Sequence, residues 1–324
     1  MNWYPWLNGP YRQLLSQYQG ERGHHALLLH ASKGLGDDAL VYGLSRWLLC
    51  QHPQGDKSCG KCHSCHLMIA GNHPDWHLLA PEKGKNALGI EPIRQLIETL
   101  YNYSQQGGAK VVWLAQAELL TEAAANALLK TLEEPPSRTY FILGCREPSR
   151  LLPTLRSRCF YWHLAAPETS LAAQWIARQL PQQPLAIQTA LRLGGGTPLA
   201  ALELLQVDRW KQREQLCQQL AASVQQGDLL SLLPQLNHDD VVDRLHWLSS
   251  LLLDALKYQQ GAADYVINLD QPVLLSQLAN SLGNAALQQT LQRWMQCRQQ
   301  LLSVVGVNRE LLLTEQLLAW EHSL

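Results

Sequence analysis

Cys50, Cys59, Cys62 and Cys65 fall within sixteen residues, spaced C-x8-C-x2-C-x2-C. Thiolates three positions apart can meet one tetrahedral ion. Four of them close a structural Zn2+ shell and leave no position open for chemistry. Reduced thiols or a redox C-x-x-C pair are the other reading, although a redox pair leaves two cysteines unexplained. His63 and His66 are available as substitute ligands, but four thiolates suffice. Cys145, Cys159, Cys217 and Cys297 stand singly on apolar segments and read as small hydrophobes of a core.

A second segment, Ala31-Ser-Lys-Gly-Leu-Gly-Asp37-Asp38, joins an apolar run to a helical one. A phosphate loop, G-x-x-x-x-G-K-[ST], belongs at such a junction. The turn glycines Gly34 and Gly36 are present. Ala31 replaces the first glycine, Asp37 the lysine that meets the β- and γ-phosphates, and Asp38 the hydroxyl residue that holds Mg2+. Two carboxylates at this helix start are expected to cap its free N–H groups and to repel a triphosphate. Lys33 comes four positions too early to replace the lysine. An ordinary strand–turn–helix is the other reading. Ala115 and Gln116 stand after the run Lys110–Leu114, where an active nucleotidase carries the carboxylates that hold Mg2+ and position water.

The elements that must place these residues are legible in the hydrophobic pattern. Five short β-forming runs cover Ala26–Ala31, Asp75–Pro81, Lys110–Ala115, Thr139–Cys145 and Cys159–Leu164. Helical segments Asp37–Leu49, Glu91–Tyr103 and Thr121–Glu134 separate them. Apolar strands alternating with helices predict a parallel sheet covered on both faces, so residues 1–165 read as an α/β domain. Residues 166–206 read as three short helices broken at Pro181 and at Gly194–Gly196. From 207 to 324 the pattern is helical only. Trp210, Cys217, Leu220 and Val224 share one face, and so do Val242, Leu245, Leu248, Leu252 and Leu256. The fold class is α/β plus all-α.

Bulk properties narrow the function. The chain has 324 residues, 46% of them apolar, and a formal charge of −1. That balance argues against a protein gripping DNA alone through a basic patch. The first residues lack a basic stretch followed by an apolar one, and no run reaches the ~20 apolar residues of a membrane helix. A cytoplasmic protein without membrane contact is expected, and there eight cysteines read as thiols or metal ligands. The short basic tract Lys83-Gly-Lys85 reads as solvated surface.

The helix sequence Asn126-Ala-Leu-Leu-Lys-Thr-Leu-Glu-Glu-Pro-Pro136, the tripeptide Ser157-Arg158-Cys159 and the cysteine cluster occur in an order and spacing that resemble bacterial DNA polymerase III clamp-loader subunits. The opening WYPWL, APEKGKN at 80–86 and VNRELLL at 307–313 extend the likeness over essentially the whole chain. The resemblance implies an AAA+ module with a RecA-like parallel sheet carrying a zinc-binding insertion, a three-helix lid and a C-terminal helical collar. It implies partners too: motor subunits (gamma/tau) and a delta subunit in a hetero-pentameric ring, with the sliding clamp and primer-template DNA contacted indirectly.

Departures from the motor pattern fall at the nucleotide site. Asp37, Ala115, Gln116, Cys145 and, in the lid, Pro198 replace the residues that bind and hydrolyse ATP, so no ATP is expected on this chain. The resemblance gives Arg158 a role in trans, reaching the γ-phosphate of a neighbour's ATP. A guanidinium suits it, being always charged and forked. A surface arginine pairing with a nearby acid is the plainer alternative, and Arg156 is a second cation close by. The expected function is thus a non-ATPase, stator-like subunit. An active but atypical ATPase and a stand-alone zinc-dependent nucleic-acid-binding protein are the competing readings.

Overall fold

The computed structural model describes residues 2–20, 23–81, 86–304 and 306–323. Residues 82–85, which carry part of the APEKGKN stretch and the Lys83–Lys85 tract, lie outside them. The chain divides into two compact units, 1–167 and 168–324.

The first unit opens with α1 (Asn8–Gln19) and continues through β1 (Ala26–Ala31), α2 (Asp37–Leu49), α3 (His63–Ala70), β2 (Trp76–Leu79), α4 (Ile90–Tyr101), β3 (Lys110–Leu114), α5 (Glu122–Glu133), β4 (Thr139–Cys145), α6 (Pro153–Arg156) and β5 (Phe160–Leu164). The sheet order is β2-β3-β4-β1-β5, with every pair parallel. Leu28 stands beside Leu143 on one side and Tyr161 on the other, and Val112 beside Phe141. Side chains alternate across a strand. Leu28, Val112, Phe141 and Leu143 therefore face one layer, where they pack with Ile93 and Leu96 of α4 and Leu128 and Leu132 of α5. Leu27, Leu29, Val111 and Ile142 are buried on the opposite face. Burial on both faces is why β1, β3 and β4 read as unbroken apolar runs. The outer strands β2 and β5 are only partly covered.

This order puts β1 between strands that come later in sequence. A connection therefore leaves the C-terminal edge of β1 in one direction while β3 and β4 end beside it, the place where parallel sheets present ligand sites. The loop after β1 and the ends of β3 and β4 meet there.

The second unit is all helical. It runs through α7 (Thr169–Gln179), α8 (Pro184–Leu193), α9 (Pro198–Leu204), α10 (Val207–Gln226), α11 (Leu233–Leu236), α12 (Val241–Gln259), α13 (Pro272–Ser281), α14 (Asn284–Ser303) and α15 (Arg309–Glu321). Proline opens α8, α9 and α13 at the first helical position, where its missing N–H costs nothing. One continuous core joins the three short helices to the long ones: Ile176, Ile187 and Leu191 belong to the same cluster as Leu216, Leu248, Trp294 and Trp320. No helix among the described residues is long and apolar enough to cross a membrane.

Candidate functional site

The loop after β1 turns on two glycines. Gly34 and Gly36 take φ values of 93° and 79°, a region that side-chain-bearing residues rarely enter. The carbonyl of Gly36 accepts the first hydrogen bonds of α2, from the N–H groups of Ala39 (3.0 Å) and Leu40 (3.2 Å). The chain's own N-terminus closes over the loop. The Trp6 indole donates to the Leu35 carbonyl at 2.8 Å, and Tyr4 lies so near Gly36 that an added Cβ would stand 2.5 Å from its ring. Tyr4 and Trp6 stack on each other, with centroids 5.0 Å apart.

Contrary to the expectation from sequence, Asp37 and Asp38 do not cap α2. The N-cap of α2 is Gly36, and no side chain caps the helix. Asp37 turns away from the N–H groups because a better partner is within reach. Arg146, one residue beyond β4, forks onto its carboxylate, with Nη1 to Oδ1 at 3.1 Å and Nη2 to Oδ2 at 3.0 Å. The same Nη1 donates to the Ala31 carbonyl at 2.8 Å. The Asp37 side chain is 7% exposed and that of Arg146 29%. Asp38 is exposed. A guanidinium and a carboxylate, both supplied by the chain, thus meet at the first residue of α2.

Neither Arg146 nor its second partner was singled out from sequence. Glu118, on a short 3-10 helix after β3, accepts the Arg146 backbone N–H at 2.8 Å through Oε1, while its Oε2 is buried with no partner. The available signal was a pair of acids at the start of α2 and an arginine just past the end of β4. Ala115 and Gln116 bring no carboxylate to this edge. Gly144 lets β4 pass close to Ala115, whose carbonyl oxygen would lie 2.4 Å from a Cβ there. Cys145 is fully buried, and burial, aided by the charge of Glu118, pushes its thiol up to about 12. It is a core hydrophobe, as are Cys217 and Cys297; Cys159 is less deeply covered. Pro198 starts α9 and is buried.

The four clustered cysteines converge. Their sulfur atoms all lie within 4.8 Å of one another. Three Sγ–Sγ separations are 3.6 Å (Cys65–Cys50), 3.9 Å (Cys59–Cys65) and 4.0 Å (Cys50–Cys62). A tetrahedron with metal–sulfur bonds near 2.3 Å has edges of ~3.8 Å, so these thiols fit one such ion. Cys50 ends α2, and Cys62 caps α3 by accepting the Cys65 N–H at 3.4 Å. Backbone N–H groups also reach Cys50 from Cys59 (3.2 Å) and Cys59 from Cys62 (3.3 Å). Hydrogen bonds from the Lys61 and Cys62 backbone lower the Cys59 thiol to about 6, while burial raises Cys50 and takes Cys65 up to about 12. His63 and His66 are exposed and stand outside the cluster. Buried Ser64 ties the module to the end of α2 and to the segment before β2: its hydroxyl donates to the Leu49 carbonyl at 2.6 Å and meets His73 Nε2 at 2.6 Å.

Arg158 lies between α6 and β5, and its side chain reaches the end of α5. It forms an ion pair with Glu133, donating through Nε at 2.6 Å, and donates through Nη1 to the Thr154 carbonyl at 2.7 Å. The two family motifs therefore touch: Glu133 belongs to the NALLKTLEEPP helix and Arg158 to Ser157-Arg158-Cys159. Both side chains keep water contact, with Arg158 31% exposed and Glu133 48%. An exposed pair of this kind is worth about 0–1 kcal/mol, so it restrains the arginine without trapping it. Arg156 donates to the Pro148 carbonyl at 3.5 Å.

Comparison with known proteins matches three family models in succession. Residues 8–168 match "DNA polymerase III, delta subunit", 167–206 match "DNA polymerase III subunit delta', AAA+ ATPase lid domain", and 207–322 match "DNA polymerase III, delta subunit, C terminal". The chain is 62% identical to the DNA polymerase III subunit delta' of Yersinia pestis, covering 100% of this chain and 97% of that one. It is 56% identical to the subunit delta' of Escherichia coli K12, again covering 100% and 97%. Among solved structures, a DNA polymerase III gamma-subunit-related protein of Thermotoga maritima aligns over 96% of this chain and 99% of its own, with TM-score 0.46 and 19% identity.

Proposed function

The chain belongs to the DNA polymerase III delta' family of clamp-loader subunits, and from that premise we propose that it works without binding ATP, as a rigid member that completes a neighbour's ATP site. The observation that carries this reading is the Asp37–Arg146 pair. A triphosphate entering the loop would have to displace Arg146 from a buried carboxylate and then lie against that carboxylate. Taking Arg146 away from that carboxylate costs about 2–3 kcal/mol once its partial exposure is allowed for. Ala115 and Gln116 offer nothing to hold Mg2+ in return. Gly34, Gly36, Asp37 and Asp38 then form a preserved loop with its ligand replaced from within.

Arg158 is the group we assign to the neighbour. Its side chain is surface-accessible, its restraint by Glu133 is weak, and short α6, anchored by buried Leu155, fixes its backbone. In phosphoryl transfer a guanidinium supplied from outside neutralises charge developing on the γ-phosphate and is worth ~10³–10⁵ in rate. The partners of this reading are the gamma/tau motor subunits and the delta subunit in a hetero-pentameric ring. The all-α region of 207–324 would serve as the collar, 166–206 as the lid and 1–165 as the AAA+ core. Exposed Leu302, Leu311 and Leu318 near the end of the chain suit subunit contact. Cys50, Cys59, Cys62 and Cys65 hold a structural Zn2+ that staples the segment between α2 and β2. We place the protein's work in the cytoplasm, on the sliding clamp and primer-template DNA through its partners.

The test is ATP turnover by the reassembled complex with Arg158→Ala in this chain. Turnover should fall at least tenfold at each site the arginine completes, with assembly unchanged by gel filtration. Unchanged turnover at full assembly removes the assignment.

A further inference from the structure

Beside α2, two to three turns beyond the phosphate loop, a cavity of about 380 Å³ opens between the N-terminus, α1 and the chain leading into the cysteine module. Trp3 and Tyr11 form its aromatic wall, meeting edge to face with centroids 5.3 Å apart. The Trp3 ring lies on Gly43, where an added Cβ would come within 2.9 Å of it, and its indole N–H is tied to Asn8 Oδ1 at 2.8 Å. Trp3 is thus fixed in orientation yet 43% exposed.

Three cations line the same cavity. Arg12 is matched by Asp56 at 3.5 Å. Arg46 and Lys57 have no acid partner among the described residues, and Arg46 Nε is buried without a hydrogen bond. The Arg46 guanidinium is instead 5.9 Å from the Tyr42 ring centroid. None of these residues serves the Asp37–Arg146 pair, the thiol cluster or Arg158.

An oriented, open aromatic face with unpaired cations at its rim is the arrangement that binds single strands: the base stacks while the cations follow the backbone phosphates. We propose that this cavity takes one nucleotide of a single-stranded nucleic acid, stacked on Trp3, with the flanking phosphates held by Arg46 and Lys57. The volume suits one nucleotide. An acidic peptide would satisfy the cations but has no use for the aromatic wall.

The experiment is fluorescence anisotropy of a labelled oligodeoxythymidine of about twenty nucleotides with the full chain, at a series of salt concentrations. The wild type should bind saturably, with affinity falling as salt rises. Arg46→Gln with Lys57→Gln should lower affinity at least tenfold and reduce the slope of log K against log[salt] by about 1.4, from ~0.7 per phosphate contact on single strands. Trp3→Ala should lower affinity roughly tenfold, from the loss of one stacked base, and leave the salt slope unchanged. Circular dichroism of each variant must match the wild type, and quenching of tryptophan fluorescence on titration, present in the wild type and reduced in Trp3→Ala, gives a second readout. Absence of saturable binding at low salt overturns the proposal, as does binding indifferent to both substitutions. Equal affinity for thymidine monophosphate would make the cavity a free-nucleotide site and overturn the strand assignment. Displacement of the oligonucleotide by a polyglutamate peptide at lower concentration than by unlabelled DNA would do the same in favour of an acidic partner.

Discussion

Replacing Arg146 by alanine should be far more damaging than replacing its partner. Arg146→Ala leaves the Asp37 carboxylate 7% exposed in the wild-type packing and without its forked donor. Breaking a buried pair in this way costs about 3–5 kcal/mol. Arg146 itself is 29% exposed, so water enters where it leaves, and screening brings the figure down to about 2–3 kcal/mol. Asp37→Ala leaves an arginine that still donates to the Ala31 carbonyl and can turn its other N–H groups to solvent, a loss of about 1 kcal/mol. The double variant no longer holds an orphaned carboxylate and should be more stable than Arg146→Ala alone, with a coupling energy of about 1–2 kcal/mol. Because the chain has two compact units, a single melting curve would mix their signals. Hydrogen exchange of peptides from 26–49 and 139–146 reports the first unit alone. Arg146→Ala should lower their protection ~30-fold or more, since about 1.4 kcal/mol is a factor of ten. Equal losses for the two single variants, or a double variant equal to their sum, would refute the idea that the pair closes the loop.

Two further outcomes concern stability. Metal analysis should give about one zinc per purified chain, and stripping it with a chelator should selectively expose the segment 50–75 to protease; a stable, metal-free preparation would contradict the cluster assignment. In the second unit, Arg213 is fully buried, forks onto Asp270 at 2.6 and 3.0 Å, donates to Asn268 at 2.8 Å and lies 4.7 Å from the Trp210 centroid. Burial alone would raise the Asp270 carboxyl, but the hydrogen bonds and charge of Arg213 outweigh it and hold the group below 3.8. A lowered carboxylate contributes stability that is complete above its unfolded value and fades as pH falls through the folded one. Unfolding of the helical unit should therefore ease below about pH 4, and Asp270→Asn should destabilise it at neutral pH while flattening that acid dependence. An acid profile identical to wild type would remove Asp270 from the account.

Sequence pattern located the sheet because β1, β3 and β4 are buried on both faces, which forces unbroken apolar runs such as ALLLHA and KVVWL. It located α2 to the residue because a glycine turn precedes it and Cys50 follows it. The thiol cluster was legible because metal geometry dictates ligand spacing, and the sulfur separations match it. What Asp37 does was not legible. Capping is a local rule, and it lost to an arginine more than a hundred residues away that only the β1–β4 pairing brings near. Glu118 was hidden for the same reason, since its partner is the backbone N–H of Arg146, just past the end of β4. The Glu133 contact of Arg158 likewise joins two motifs whose meeting depends on α5 and α6 packing together. Long-range charge pairs leave no periodic trace in a chain. Their advance sign here was an acid pair at the start of α2 and an unexplained arginine after β4.

The most direct measurement is equilibrium binding of MgATP to the purified full chain by titration calorimetry. With the loop held by Asp37 and Arg146, no saturable heat should appear up to millimolar nucleotide, while an active gamma/tau subunit in the same buffer binds. Micromolar, saturable binding by this chain, with Arg146 displaced from Asp37, would contradict the account.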